Sequence, residues 1–429
     1  MTPLSPMPFP ETSFALLLVL LLLAPLVIAG IALVNAGLGR SRSAAQSMLG
    51  TLVVIATAVL AFAVVGSGVA AESSKDFIFH LAGKPWNWAG QGHLFLSGLA
   101  SAPPRAQLAL LFELLSVALV VLIPWGSGAD RLRLPAGAAI AAVFGAFLFP
   151  LVAHWTWGGG WLGQLGANFA LGGGFRDGGG AGPVHALGGL AALAVVWIAG
   201  PRKGKFPREG LSTAMPGHNV VYVLFGCLVA LVGWLAWNMA GSLLWLGGTP
   251  SSLVVTAVNT FLSAAAALVA TFSVTRIRFG KPDASLCANG WLAGLVTSSA
   301  CAGIVPPLDA ILAGLVAGIF TPLLVELFEL ALSIDDPSGA ISVHGAAGLW
   351  GIIAAGLFAP LHGQFVAQLI GVSTLLGLML PLTYVIFLLM DRVIAFRADP
   401  DGERLGMDLH ELGGNAYPEF VVHRDESYR

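Results

Sequence analysis

Two histidines, His185 and His344, stand in the same local pattern in opposite halves of the chain. Around the first, the chain reads Asp177-Gly-Gly-Gly180-Ala181-Gly-Pro-Val184-His185, with Gly189-Leu190 beyond. Around the second, it reads Asp336-Pro-Ser-Gly339-Ala340-Ile-Ser-Val343-His344, with Gly348-Leu349 beyond. Asp, Gly, Ala, Val, His, Gly and Leu recur at equal offsets, which marks an internal repeat. Each histidine lies in an uncharged stretch of membrane-spanning length, where an ionisable group is costly and is a functional candidate by default. A neutral imidazole donates from one ring nitrogen and accepts at the other. Two such rings in contact stay neutral or share one proton, and they can pass a proton along an otherwise apolar conduit. That chemistry suits a permeant that is a cation outside and a small neutral base within. It would shed its proton at the mouth, cross a dry constriction and regain one.

Other residues are unusual for their surroundings. Glu113, in Phe112-Glu113-Leu114-Leu115-Ser116, lies mid-way into an apolar span and must be protonated, paired or turned to a polar cavity. Trp157 precedes Gly158-Gly159-Gly160 and reads either as a belt tryptophan or as a face that holds a small cation. Trp237, in Gly233-Trp234-Leu235-Ala236-Trp237-Asn238, sits deep in a span and can obstruct a path. Asp336-Pro337 reads as an N-cap followed by proline at the first helical position. Asp177 precedes three glycines, so the turn after it is expected to be irregular. For both aspartates, capping and shaping of a pore entrance are compatible roles.

The elements that must position these groups follow from composition. Of 429 residues, 57% are hydrophobic and 10% charged, a balance found in polytopic membrane proteins and not in soluble globular ones. A spanning helix takes about 20 mainly apolar residues. By that measure the chain carries eleven spans, near 13–37, 45–70, 104–125, 134–153, 183–199, 217–245, 252–275, 285–304, 307–333, 339–360 and 364–391. The Gly-rich stretch from Gly158 to Gly182 reads as an external loop.

Arg40, Arg42, Arg131, Arg133, Arg202, Lys203, Lys205, Arg208, Arg276, Arg278, Lys281, Arg392, Arg397 and Arg404 all fall on one side of these spans. The other side holds only Lys75, Lys84, Arg105 and Arg176. The positive-inside rule then places the N-terminus outside and the tail in the cytoplasm, at the cell membrane. The fifth span runs inward and the tenth outward. Each histidine follows its aspartate by eight residues, about 12 Å of helix from opposite faces of a core about 30 Å thick, so both imidazoles reach the midplane. Spans one to five (13–199) and six to ten (217–360) are therefore expected to be inverted-topology repeats with the site between them, and 364–391 is an extra helix. Residues 1–396 form one transmembrane domain and 397–429 a cytoplasmic tail.

Other chemistries fit poorly. Haem ligation would want paired histidines on each of two helices, and zinc a third or fourth ligand nearby. Cys227, Cys287 and Cys301 share no close spacing and read as core thiols. An intramembrane enzyme would need a nucleophile or metal constellation that the chain does not display. No cofactor and no nucleic-acid partner is implied.

The chain resembles ammonium transporters of the Amt/Mep/Rh family over nearly its whole length. The likeness rests on Ala153-His154 with Trp157-Gly-Gly-Gly160, Asp177 with His185, Gly200-Pro201-Arg202-Lys203 and His218-Asn219. It continues through Gly233-Trp234 with Asn238, Asn259-Thr260, Gly280-Lys281-Pro282, Ala293-Gly-Leu-Val296, and Asp335-Asp336-Pro337 with Val343-His344-Gly345. The resemblance implies an all-α membrane fold of eleven helices, a homotrimer with one pore per subunit, and ammonium or ammonia as substrate, with methylammonium as analogue. Trp157 favours the Amt/Mep branch.

Carried over, His185 and His344 look like the family's twin histidines, Asp177 like the acidic residue of the outer ammonium site, and Trp157 like its cation-π aromatic. The gate departs from the family pattern. Two stacked phenylalanines are usual, but Ser116 and Trp237 align there, beside Phe112, and Glu113 replaces a glutamine. The outer hydroxyl ligand aligns with Gly241, next to Ser242. In the tail, Gly406-Met-Asp408 and Asn415-Ala416-Tyr417 echo a motif whose usual His and Glu align with Leu412 and Gly414; docking of a PII-type regulator is the partner this implies. Two functions are therefore expected to compete: conduction of ammonium, and an ammonium-binding sensor or non-conducting homologue with a remodelled gate.

Overall fold

The computed structural model describes residues 10–72, 78–207 and 212–418. Lys75 and Arg208, counted above in the charge asymmetry, and residues 419–429 of the tail lie outside them. The described chain is almost wholly helical, because backbone polar groups in lipid must be satisfied within the segment itself. Eleven long helical segments follow one another: α1 (Glu11–Leu38), α2 (Ser41–Ala70), α3 (Pro104–Ser127), α4 (Leu134–Phe169), α5 (Ala181–Ala199), α6 (Val220–Trp245), α7 (Ser252–Phe279), α8 (Ala284–Cys301), α9 (Pro307–Ala331), α10 (Ile341–Phe358) and α11 (Gln364–Asp391).

Ten of these, among the described residues, are long and apolar enough to cross a membrane. The exception, α8, carries Asn289, Thr297, Ser298 and Ser299, all buried. It packs against α6, α7, α9 and α10, so its polar groups meet protein instead of lipid. Ser263 on α7, for example, donates to the Gly294 carbonyl at 2.8 Å.

The packing repeats. In the first half α2 lies on α4 and α3 on α5; in the second, α7 lies on α9 and α8 on α10. The halves meet where α1 runs along α6 and where α5 crosses α10, while α11 packs on α5 and α10 from outside both sets.

One piece of the chain differs from the sequence expectation. The Gly-rich stretch is not all loop: Trp161–Phe169 is helical, after a break at residues 157–160. Its Leu162 and Leu165 are buried, and Trp161 stacks on Trp88 with ring centroids 5.5 Å apart. Aromatic contacts of that kind give a short helix the burial that its glycine-rich flanks cannot. A two-stranded hairpin, β1 (Phe79–Leu81) with β2 (Lys84–Trp86), sits beside it, and Trp86 meets both Trp161 and Phe169.

Candidate functional site

α5 and α10 begin in the same way. Asp177 accepts backbone N–H bonds from Gly180 (2.8 Å), Ala181 (2.9 Å) and Gly182 (2.6 Å). Asp336 accepts from the Ile341 amide (2.8 Å) and from the Ser127 and Ser338 hydroxyls (2.8 and 3.2 Å). Each carboxylate thereby satisfies amides that a helix start leaves orphaned. Burial pushes the Asp177 carboxyl up to about 6 against the pull of those amides, and it raises Asp336 as well.

Three residues after each aspartate comes a glycine in the left-handed region, Gly180 at φ 79° and Gly339 at φ 68°, where a side chain would be strained. Next comes a single π-helical turn, Ala181–Ala186 in one repeat and Ile341–Ala346 in the other, and each turn carries its histidine. Single π-turns of this type recur at functional sites.

The two rings meet. His185 Nδ1 and His344 Nδ1 are 3.2 Å apart, with ring centroids 5.2 Å apart and planes 20° from parallel. At that distance one nitrogen carries a proton and the other accepts it. Both residues are buried, and His185 Nε2 has no hydrogen-bond partner among the described residues. The approach depends on two repeat-related glycines at the α5–α10 crossing. A Cβ on Gly189 would fall 2.1 Å from the Gly345 backbone nitrogen, and one on Gly348 would fall 2.8 Å from the Ala181 carbonyl oxygen. His185 also stacks on Trp234 at 4.9 Å and 15°, whose indole N–H donates to Ser299 Oγ at 2.9 Å.

Above α5 lies an aromatic cluster. Trp157 is buried and donates to the Asp177 carbonyl at 2.7 Å, so the residue that caps α5 also fixes this indole. Trp157 stacks on Trp245 at 5.5 Å and 9°, and meets the Phe112 ring edge-on at 5.3 Å. Phe112 lies 4.7 Å from Trp237, which donates to the Gly179 carbonyl at 2.8 Å. Ser116, one turn beyond Phe112, turns its hydroxyl back to the Phe112 carbonyl at 2.8 Å. Glu113 is only 8% exposed. The Ser242 hydroxyl lies beside Gly248 and Gly303. A Cβ on Gly241 would fall 2.1 Å from the Gly178 carbonyl oxygen, so that position holds a close crossing and has no room for a larger residue.

Sequence reading singled out Trp157, Trp237, Phe112 and both histidines, and the structure brings these together with Trp234 and Trp245. It did not assign the latter two. Trp234 lies three residues before Trp237, a spacing that places both on one helix face.

At the opposite end of α5 a second cluster was also missed. Arg202 donates to Asp335 at 2.8 and 2.9 Å and to Asp130 at 3.0 Å, and Arg131 donates to the Asp335 carbonyl at 2.7 Å. Burial works to raise the Asp335 carboxyl, but the Arg202 and Arg131 guanidiniums hold it below the usual carboxylate range. Among the described residues, no group of three or more His, Cys, Asp or Glu side chains is arranged to hold a metal ion.

The family model of the Ammonium Transporter Family matches residues 14–417. The chain belongs to the ammonium transporter family. It is a multi-pass membrane transport protein, as its named relatives are, and not an enzyme. The ammonium transporter Amt2 of Archaeoglobus fulgidus is 35% identical over 420 residues, covering 93% of this chain and 86% of that protein. The ammonium transporter of Bacillus subtilis is 29% identical over 415 residues, covering 93% and 97%. Among solved structures, a sensor Amt protein superposes with a TM-score of 0.84 at 27% identity, covering 93% of this chain and 97% of that one. Mep2 of Candida albicans superposes with a TM-score of 0.77 at 25% identity, covering 96% and 91%.

Proposed function

We propose that this family member carries ammonium across the cell membrane as ammonia, through a passage that runs between α5 and α10 past the paired imidazoles. The single observation behind this reading is the 3.2 Å contact between His185 and His344 at the crossing of two repeat-related helices. Ammonium would arrive at the aromatic cluster, where Trp157 offers a ring face worth about 0.5–2 kcal/mol to a small cation. Asp177 supplies negative charge behind that face, and the Ser242 hydroxyl, beside Gly248 and Gly303, is the candidate hydroxyl ligand.

Phe112, Ser116 and Trp237 close the way inward, with Glu113 as a buried carboxylate beside them. Beyond them the permeant gives its proton to His185 Nε2, the Nδ1 proton of His185 passes to His344 and one leaves inward from that ring, and the neutral base crosses. The histidine pair holds one shared proton and offers His185 Nε2 to the permeant, so a proton can be handed along without either ring standing charged in an apolar site. Asp336 holds the inner end of α10 as Asp177 holds the outer end of α5. In this reading the N-terminus is outside, the tail is cytoplasmic, and three copies assemble with one pore each.

A second reading has a specific observation in its favour: the match to the solved structure of a sensor Amt protein, together with the filled Phe112–Trp237 gate. Uptake of labelled methylammonium into proteoliposomes separates the two. Saturable uptake above that of protein-free vesicles is the expected result. Saturable ammonium binding without uptake would overturn conduction and leave the sensor.

A further inference from the structure

On the face that carries the tail, a groove of about 610 Å³ is lined by Arg40, Arg42, Lys203, Arg404, Asp401 and Glu403. Its size falls within the range of small-molecule sites. Three separate segments build it: the turn between α1 and α2, the segment after α5, and the tail stretch Pro400–Arg404. Four cationic side chains face two carboxylates, an excess of two positive charges.

The carboxylates do little to quench that excess. Glu403 is buried and committed elsewhere, accepting from Arg397 Nη2 at 2.8 Å and from the Lys203 amide at 2.6 Å. Asp401 lies 3.5 Å from Arg404 with both side chains more than 70% exposed, and a pair so exposed is weak. The Arg40 amide donates to Asp130 at 3.1 Å, but its guanidinium Nε stands 3.9 Å from that carboxylate. Arg42 donates from Nη1 to the Arg404 carbonyl at 2.7 Å, which brings two guanidinium-bearing segments together. A phosphate monoester carries about −1.5 to −2 charge and three acceptor oxygens that match the guanidinium fork. That is the charge and geometry the groove lacks.

We propose that this groove binds a phosphate-bearing ligand, which clasps the tail segment Pro400–Arg404 against the two loops. The phosphate can come from a soluble compound or from a lipid headgroup, and two arms of one experiment distinguish them. Full-length protein in phosphatidylcholine nanodiscs is titrated calorimetrically with inorganic pyrophosphate at low salt. In parallel, detergent-solubilised protein is mixed with phosphatidic acid and the retained lipid is counted by native mass spectrometry.

Both arms are repeated with Lys203→Gln/Arg404→Gln, which alters two exposed side chains, and with Lys281→Gln, a cation outside the groove. Saturable binding in at least one arm is expected, weakened about tenfold or more by the double variant and unchanged by Lys281→Gln. The arm that binds identifies the source. No saturable binding in either arm, affinity unchanged by the double variant, or equal weakening by Lys281→Gln would each overturn the proposal.

Discussion

In the proposed reading, the chemistry turns on one hydrogen bond between like atoms. Two Nδ1 nitrogens 3.2 Å apart hold a single proton between them, and the stacked indole of Trp234 keeps the His185 ring from turning away. Trp234→Ala should therefore reduce transport even though it removes no titratable group. Loss of so large a buried ring should also lower stability by about 3–5 kcal/mol, read as a drop in the melting temperature of purified protein. Substituting Trp234→Phe should recover much of both losses. Glu113→Gln is expected to flatten the pH dependence of uptake; an unchanged profile would dismiss a titrating role for that carboxylate. At this scale the sequence made the histidine pair readable, because two imidazoles in uncharged spans are conspicuous and their flanks repeat. The partners of the pair were less readable. A tryptophan in an apolar helix looks the same whether it packs, anchors or lines a path, and the contacts of Trp234 with His185 and of Trp245 with Trp157 join distant parts of the chain.

The repeat becomes physical at the level of the helix start. Aspartate cap, left-handed glycine, π-turn, histidine and crossing glycine occur in that order at both α5 and α10, so the recurring letters were the parts of one structural device. Gly189→Ala should be poorly tolerated. Its Cβ would fall 2.1 Å from backbone, which cannot swing aside as a side chain can. We expect a destabilisation of about 1–3 kcal/mol from overpacking, seen as a lower melting temperature, and a reduced rate of uptake as the two rings are levered apart. Spacing showed that Asp177 would precede an irregular turn. Asp336 does accept a helix-start amide, but from Ile341, and Pro337 lies in a turn before the left-handed Gly339 and not at the first helical position. Spacing could not show the π-turns, which depend on how α5 and α10 settle against each other. The helix at Trp161–Phe169 was hidden for a similar reason: its stabilising contacts come from Trp86 and Trp88.

Across the whole molecule, eleven helices, their order and the extra α11 were legible from apolar runs alone, since lipid leaves so few alternatives. Charge was legible as a side preference and not as pairing. Arg131 and Arg202 entered the reading as positive charges on one face, Arg202 also within a family-like stretch, yet they lock Asp335 and Asp130 from segments up to 204 residues away. Arg202→Ala would leave two buried carboxylates short of their partner, and a loss of about 3–5 kcal/mol is expected by thermal or denaturant unfolding. The pH dependence has a definite sign. Asp335 is held below its unfolded value, so its stabilisation is fully present above about pH 4 and is lost as pH falls through the lower, folded value. Asp335→Asn should therefore blunt the acid sensitivity of the fold while lowering stability at neutral pH.

The most direct test of the account is the rate of methylammonium uptake in proteoliposomes carrying wild type, His185→Ala or His344→Ala at matched protein density. If the permeant gives up its proton and passes the shared imidazole pair, each variant should lose uptake about a hundredfold or more, or lose its dependence on pH. Uptake in both variants at the wild-type rate and with the wild-type pH profile would contradict the role assigned to the paired rings.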